Sequence, residues 1–407
     1  MAKKVKACLI GLGARGEFML KNVFVLMIKQ DMLDIVSVCD TYDDRMQMAA
    51  DVIEEASGKR PVCSSDYKTA LAVGVDCCMI LSAWESHVEI ALYCMERGIK
   101  VGTEVGGAYN IGDCFRLVDA YERTGIQCMM LENCCYGRRE LMVLNMVKKG
   151  FLGRVVHCSG GYMHDLRYEI ADGKENRHYR LRNYLNRCCE NYPTHELGPI
   201  MSVLDINHGN RLMTLTSVAS CSAGMHEYLT AKGSYLADRH FNQGDIVTTT
   251  IKCAGGETIV LTLDTTLPRV YSRGFTVRGT KGMYNQDADY VYVDGKPEDP
   301  ITTLAGNAKE YEDEFEHPIW QEYRKNPIGG HDGMDWLVYN AFLDYVANDS
   351  YPPIDTYDTA TMMSISLLSE QSIATGGMPQ AIPDFTSGKW LIRTETPVVS
   401  TNPYTLR

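Results

Sequence analysis

Short apolar runs alternate with amphipathic stretches along the first third of the chain. The runs are typical of buried strands and lie at residues 4–10, 35–39, 75–81, 99–105 and 126–131. Helical spacing of apolar residues follows several of them, as from Phe18 to Met27 and from His87 to Arg97. Strands that alternate with helices in this way predict a parallel sheet covered by helices.

The pattern changes after residue 154. Apolar runs and alternating positions predict strands at residues 155–163, 213–220, 246–253, 258–264, 275–278 and 290–293. Helical patterns return at residues 185–187, 199–207, 334–347 and 359–374. Strands joined by loops rich in Gly, Asp and Asn predict a mostly antiparallel sheet.

The fold class is therefore predicted to be α/β, with an N-terminal Rossmann domain and a C-terminal α+β domain. The first would contain a doubly wound parallel sheet and the second a mostly antiparallel open sheet. We place the cofactor domain at residues 1–132 and a substrate and oligomerisation domain at residues 133–375. Residues 376–407, which include Pro379, Pro383 and Pro397, would form an extended tail on the body.

A glycine-rich loop joins the first strand to the first helix and suggests a dinucleotide site. Gly11, Gly13 and Gly16 form a Gly-x-Gly-x-x-Gly pattern, which permits a tight turn and a close approach of backbone to pyrophosphate. The second strand ends at Asp40, whose carboxylate suits a ribose hydroxyl and would repel a 2′-phosphate. The sequence therefore predicts NAD in preference to NADP, although such a loop can also occur in a domain that binds nothing.

Polar residues also follow the later strands of the predicted parallel sheet. Trp84 and His87 come after the strand at residues 75–81, and Glu104 ends the strand at residues 99–105. Ligands of doubly wound sheets bind outside the carboxyl ends of the strands. We therefore expect these side chains and the glycine loop to converge on one crevice.

Two polar concentrations in the second domain are candidates for chemistry. One lies at residues 160–167, at the end of a strand, and the other at residues 191–199, before an apolar helix. Tyr192 and His195 flank Pro-Thr at this helix start and can point together into a cleft. Histidine moves protons near neutral pH. The alternative is that both side chains only satisfy the fold around a helix N-terminus.

Composition excludes several classes of function. The chain has 407 residues, enough for more than one core, and a formal net charge of −12, which disfavours nucleic acid and anionic membranes as partners. We find no metal-ligand spacing and therefore expect no metal. The 15 cysteines lack Cys-x-x-Cys spacing, and the first strand begins within a few residues of the N-terminus. A cytoplasmic protein without a signal peptide or membrane span is expected.

These motifs resemble the glucose–fructose oxidoreductase/inositol dehydrogenase superfamily, and within it glycoside hydrolase family 109, the NAD-dependent α-N-acetylgalactosaminidases. The resemblance extends over nearly the whole chain. It rests on residues 11–16, 84–87, 103–105, 131–138, 157–167, 192–199, 330–335 and 382–385.

The resemblance implies an enzyme that cleaves a small glycoside, such as an α-N-acetylgalactosaminide. NAD⁺ would oxidise C3 transiently, the C2 proton would be removed, and the aglycone would leave by elimination. It implies Tyr192 and His195 as the residues that transfer protons, in roles that stay open. It also implies a cofactor set of Gly11, Gly13, Arg15, Gly16, Asp40, Trp84, His87, Glu104, Val105 and Asn133. The implied sugar-facing set is Tyr162, Arg182, Tyr192, His195 and Tyr271.

Several positions depart from the family pattern and leave two other functions open. Gly106 stands where the family generally has proline, Glu196 where it typically has glycine, and Tyr179 where it tends to have tryptophan. The lysine that classical dehydrogenases carry after Glu104 is absent. The alternatives are a sugar dehydrogenase with net oxidation and a non-catalytic sugar sensor. The superfamily's open sheet also leads us to expect a homo-oligomer.

Overall fold

The chain forms two units in the structure, which is a computed structural model that describes residues 4–296 and 305–393. The first unit comprises residues 4–133 and 322–360. The second comprises residues 134–296, 305–321 and 361–393. Residues 322–360, which the sequence placed in the second domain, thus group with the first unit. The end of the predicted tail, from residue 394, lies outside the described residues.

Fourteen strands form two sheets in the described residues. The strands are β1 Val5–Ile10, β2 Leu33–Cys39, β3 Val62–Ser64, β4 Cys77–Ile80, β5 Lys100–Thr103, β6 Cys128–Met130, β7 Val155–Met163, β8 Leu212–Ala219, β9 Ile246–Cys253, β10 Thr258–Asp264, β11 Thr276–Gly279, β12 Gly282–Asn285, β13 Tyr290–Val293 and β14 Gln380–Ala381.

The α-helices of the described residues are short except for a few. They are α1 Ala14–Met19, α2 Val25–Lys29, α3 Asp43–Ser57, α4 Tyr67–Leu71, α5 His87–Met95, α6 Ile111–Thr124, α7 Arg138–Lys148, α8 Arg167–Ala171, α9 Arg180–Asn186, α10 Thr194–Val203, α11 Gly224–Ala231, α12 Glu312–Phe315, α13 Pro318–Tyr323, α14 Met334–Asn348 and α15 Thr356–Ala374. None of them is long and apolar enough to cross a membrane.

The first unit contains the predicted Rossmann sheet. Its six strands are all parallel, in the order β3-β2-β1-β4-β5-β6, which is the doubly wound order of dinucleotide-binding folds. Strands β1 and β4 are buried along nearly their whole length, since a parallel sheet is covered on both faces. The predicted fold class is confirmed for this part of the chain.

Residues 322–360 complete the first unit at the free edge of its sheet. Strand β6 is the last strand of this sheet in the described residues, and threonine hydroxyls accept hydrogen bonds from its outer edge. Thr356 accepts the backbone N–H of Cys128 at 2.9 Å, and Thr359 accepts that of Met130 at 3.1 Å. These bonds satisfy N–H groups that burial would otherwise leave without acceptors. Spacing in the sequence could not reveal this pairing across more than 200 residues.

The second unit contains an eight-stranded sheet in the order β13-β12-β11-β7-β10-β9-β8-β14. Its pairs are antiparallel except for β7 with β10, so the predicted mostly antiparallel sheet is confirmed. Burial alternates along β10, which shows one face turned to a core. Strand β14, from the predicted tail, pairs with β8 at one edge.

The helix predicted at residues 199–207 begins earlier than expected. Helix α10 starts at Thr194 and ends at Val203, and Pro199 lies inside it. Proline favours the first turn of a helix, which is why the sequence suggested a start at Pro199. As a result, His195 lies in the first turn of α10 and not in the preceding loop.

Candidate active site

Asp40 follows β2 at the carboxyl edge of the parallel sheet and contacts the glycine loop. Its carboxylate accepts the backbone N–H of Leu12 at 2.7 Å and that of Tyr42 at 3.0 Å. Each carboxylate oxygen has two lone pairs, so both can accept another donor, such as a ribose hydroxyl. Arg45 lies 4.0 Å from the same carboxylate. This set of groups fits the ribose end of a dinucleotide.

Two glycines of the loop lie where the backbone packs too closely against itself for a side chain. Gly11 has a φ of +93°, and a Cβ there would lie 2.2 Å from the backbone N of Ser82. A Cβ on Gly16 would lie 2.1 Å from the carbonyl oxygen of Gly11, so neither position accepts a side chain. Helix α1 begins at Ala14, within this glycine pattern, and no side chain of the described residues caps it. Its first N–H groups suit an anion.

Arg15 lies between two buried carboxylates of the first unit. Its Nε is 3.0 Å from Glu104 Oε1, and its Nη2 and Nη1 donate to the two oxygens of Asp335 at 2.8 and 3.2 Å. Asn133 Nδ2 also donates to Asp335, at 2.9 Å, and the Tyr339 hydroxyl donates to Glu104 at 3.2 Å. Two predicted cofactor residues, Arg15 and Asn133, are thus joined through Asp335, which the sequence suggested only as part of a motif.

Asp335 is ionised in this cluster. Burial by itself would raise the pKa of the Asp335 carboxyl, but the hydrogen bond with His331 and the charge of Arg15 outweigh it and hold the pKa well below its usual range. The His331 Nδ1 lies 2.6 Å from Asp335 Oδ2. The carboxylate is therefore a permanent acceptor at any physiological pH.

Trp84, His87 and Val105 are all buried at the same edge of the sheet. His87 Nε2 lies 3.0 Å from the carbonyl oxygen of Ser82, and its Nδ1 lies 3.2 Å from the hydroxyl of Thr103. Burial lowers the pKa of His87, so the ring is neutral at pH 7. Both ring nitrogens have partners within the fold.

Gly106 departs from the family's proline for a reason visible in the backbone. Its φ is +81°, whereas the ring of proline fixes φ near −65°. A Cβ here would also lie 2.7 Å from the Nε1 of Trp84. The loop after β5 therefore follows a path in this chain that proline could not adopt.

Four predicted residues of the second unit form one ring cluster, which we define as Tyr162, Tyr192, His195 and Tyr271. The rings of Tyr162 and Tyr192 stack at 4.3 Å with an interplanar angle of 28°. The His195 ring meets both of them edge-on, at 5.3 and 4.8 Å. Tyr271 is exposed and lies edge-on to Tyr162 at 6.5 Å.

His164 adds an imidazole that sequence reasoning treated as a strand-end residue. The hydroxyl of Tyr162 lies 3.0 Å from His164 Nδ1, and the His164 and Tyr271 rings are 5.2 Å apart. Its position directly after β7, inside the polar stretch at residues 160–167, was the available signal. The sequence could not tell on which side of the strand end the ring would point.

Arg180, which is not among the predicted site residues, contacts the ring cluster. Its Cζ lies 5.0 Å from the centre of the Tyr192 ring, and its Nε is 2.5 Å from Glu169. Arg180 is buried, whereas Arg182 has an exposed side chain. Both arginines lie in α9, and only the packing of that helix distinguishes them.

Burial sets the protonation of Tyr162 and of the neighbouring His164. Burial raises the pKa of Tyr162 far above its ordinary value, so its phenol stays protonated and donates hydrogen bonds. Burial, with the nearby charge of Arg180, lowers the pKa of His164. The neutral His164 ring can therefore accept the Tyr162 O–H.

Comparison with known proteins gives the family. The family model described as "Glycosyl hydrolase 109, C-terminal domain" matches residues 136–392. An alpha-N-acetylgalactosaminidase from Tannerella forsythia is 40% identical over 341 residues, which cover 78% of this chain and 72% of that relative. A glycosyl hydrolase family 109 protein from Stenotrophomonas maltophilia is 34% identical and covers 95% of this chain and 90% of its own length.

Solved structures support the fold. A myo-inositol 2-dehydrogenase from Lactobacillus plantarum matches 94% of this chain and 100% of its own, with a TM-score of 0.66 and 14% identity. The WlbA dehydrogenase from Bordetella pertussis, solved with NADH and UDP-GlcNAcA, matches 94% of this chain and 98% of its own, with a TM-score of 0.65 and 14% identity. The resemblance inferred from the motifs is confirmed: the chain belongs to glycosyl hydrolase family 109, and it is an enzyme of the NAD-dependent glycosidase and oxidoreductase type.

Proposed function

We propose that the protein is an NAD-dependent glycoside hydrolase that acts on a small glycoside such as an α-N-acetylgalactosaminide. The ring cluster carries the proposal, because it places two phenols and an imidazole in mutual contact inside the family-defining unit. The Tannerella forsythia relative, named an alpha-N-acetylgalactosaminidase, supports this choice of substrate.

The first unit would hold NAD. The glycine loop and the N-terminus of α1 suit the pyrophosphate, and Asp40 suits the adenosine ribose. When bound, NAD⁺ would take a hydride from the sugar C3 and later return it, so that hydrolysis involves no net redox change. The other residues of the proposed cofactor set are Arg15, Trp84, His87, Glu104, Val105 and Asn133.

The second unit would transfer the protons. While C3 is a ketone, the C2 proton is acidic, and Tyr192 or His195 would remove it. The electron pair released at C2 expels the aglycone from C1, and the aglycone takes up a proton. Water then adds its hydroxyl to C1 and a proton to C2. Arg180, 5.0 Å from the Tyr192 ring, would stabilise the phenolate form that Tyr192 needs in order to accept the C2 proton.

The remaining rings would orient the sugar. Tyr162 keeps its proton and can donate to a sugar oxygen, and the exposed Tyr271 offers a second phenol. We extend the sequence-derived set, which includes Arg182, by His164 and Arg180. Which of Tyr192 and His195 acts as the base is a question for mutagenesis.

Turnover in deuterated water tests the proposal. The pure protein is incubated with a panel of nitrophenyl glycosides, including α-N-acetylgalactosaminide, and the sugar product is analysed by NMR. Aglycone release with deuterium at C2 supports elimination and readdition. Stoichiometric NADH from sugar alone would indicate net dehydrogenation instead, and sugar binding without any turnover would indicate a sensor.

We also propose a cytoplasmic location and a homo-oligomeric state. All 15 cysteines are free thiols in the structure, as expected in a reducing compartment. Light scattering coupled to size-exclusion chromatography measures the number of subunits, and a mass equal to the monomer would contradict the second expectation.

A further inference from the structure

We infer that Asp335 is a positioning residue of the cofactor site, which orients Arg15 and Asn133 for binding NAD. The inference rests on the proposed function, because it takes these two residues as NAD contacts. Asp335 lies in α14, about 200 residues beyond the end of the parallel sheet in sequence, but within the same unit. It would act through its neighbours and not by touching the cofactor.

The carboxylate of Asp335 is saturated with donors. Arg15 binds both of its oxygens, Asn133 donates to one, and His331 contacts the other, at distances of 2.6–3.2 Å. The side chain is fully buried. A charged acceptor with this many partners restricts the orientation of each donor, because a bidentate arginine pair has a defined planar geometry.

The backbone immediately before Asp335 forms a turn with positive φ values. His331, Asp332 and Gly333 all have positive φ values, of +49°, +54° and +96°. Residues other than glycine adopt this region at an energetic cost, and such conformations concentrate at functional sites. The turn places the His331 ring beside the Asp335 carboxylate, which in turn binds Arg15.

A purely structural ion pair would predict a different outcome. It would lower thermal stability when broken but leave the affinity of the folded protein for NADH unchanged. A positioning role predicts weaker NADH binding in folded protein. Arg15 follows Gly13 of the nucleotide loop by two residues, so a change in its orientation acts directly on the proposed site.

The test compares Asp335→Asn with Asp332→Asn. Asp332 is exposed and lies outside the cluster, and asparagine tolerates its left-handed φ, so the control makes the same chemical change three residues away. NADH affinity is measured by fluorescence titration, and bound NAD in the purified protein is quantified after denaturation. Asp335→Asn should weaken NADH binding by about tenfold or more, since hydrogen bonds to charged groups are the strong ones. Asp332→Asn should stay within about twofold of the wild type.

His331→Asn is a second variant in case Asp335→Asn does not fold. It removes one donor from Asp335 at a position that asparagine tolerates, and it should weaken NADH binding by about threefold. If Asp335→Asn folds and binds NADH as the wild type does, the inference is wrong and the proposed function stands. If Asp335→Asn does not fold, wild-type affinity in His331→Asn contradicts the inference. A wild type that does not bind NADH would overturn both.

Discussion

Each unit contains an arginine between two buried carboxylates, and the two clusters differ in their hydrogen bonds. In the first unit, Asp335 accepts hydrogen bonds from Arg15 and Asn133 and contacts His331, all at 2.6–3.2 Å. A quarter of the Arg15 side chain remains exposed. This cluster therefore has several donors for each carboxylate.

In the cluster of the second unit, Arg273 contacts both carboxylates. Arg273 Nη2 lies 2.5 Å from Glu140, and its Nε lies 3.5 Å from Glu196, which is completely buried. Gln286 Nε2 also donates to Glu140, at 2.8 Å. Two buried carboxylates next to one arginine are both stabilised by the charge of that arginine, so its loss would weaken the stabilisation of both.

The two arginines lie near different parts of the proposed site. Arg15 is itself a proposed NAD contact. Arg273 is instead linked to the residue before Tyr162, because its backbone carbonyl accepts the N–H of Gly161 at 2.8 Å. Tyr271 lies two residues before Arg273. The comparison therefore predicts that changes in the first unit alter NADH affinity, whereas changes in the second alter turnover or the stability of the ring cluster.

The largest effect should come from the proton-transfer candidates. Tyr192→Phe and His195→Ala should each lower kcat, and the one that removes the base should lower it by about 10²- to 10⁴-fold. NADH affinity should not change, because neither residue lies in the first unit. Steady-state kinetics and NADH titration measure the two quantities. Tyr168→Phe and His240→Ala, which change exposed residues of the same unit, serve as controls, and equal losses in the controls would contradict the assignment.

Replacement of each arginine should lower the free energy of unfolding by a different amount. Arg273→Met should lower the free energy of unfolding by about 3–5 kcal/mol, since it removes a cation that two buried carboxylates share. Arg15→Met should cost less, because Asp335 keeps the Asn133 and His331 partners. Calorimetry of the two variants measures the difference. Equal destabilisation would show that the extra donors around Asp335 contribute little.

A smaller effect is expected at Gly160, which lies beside Glu196. A Cβ there would lie 2.7 Å from Glu196 Cγ and 3.0 Å from the carbonyl oxygen of Arg273. Gly160→Ala should therefore destabilise the protein by about 1–3 kcal/mol. In a Glu196→Gly background part of this cost should disappear, which a double-mutant cycle of unfolding free energies detects. Strictly additive effects would show that Glu196 does not restrict this position.

The smallest effect should be a difference in pH dependence. Burial lowers the pKa of His164 from 6.5, so the ring is neutral at pH 7 and becomes protonated only as the pH falls below 6.5. It then loses the ability to accept the Tyr162 O–H, and sugar affinity should weaken by a few-fold toward pH 5. NADH affinity should change less, since Asp335 stays ionised. Calorimetric titrations at pH 7.5 and 5 test this, with His164→Gln as the variant that should lose the pH dependence of sugar binding.

Much of the site could be predicted because its residues stand at ends of strongly patterned elements. The glycine loop follows β1, Asp40 follows β2, and Glu104 follows β5, so the parallel sheet brings them together by topology alone. Tyr192 and His195 were predicted together for a similar reason, because they flank a helix start. Arg180 and Arg182 lie in one short helix, and no local pattern decides which of them turns inward.

By itself the sequence determined the two kinds of sheet, the glycine loop with Asp40 beside it, and the family. These features depend on short-range periodicity and on compact motifs, which a chain carries in every conformation. Only the tertiary structure decided that residues 322–360 complete the first unit and that Asp335 binds Arg15, 320 positions away. Burial makes such a pairing necessary, because a carboxylate removed from water requires a partner, and the partner is chosen by packing and not by distance along the chain.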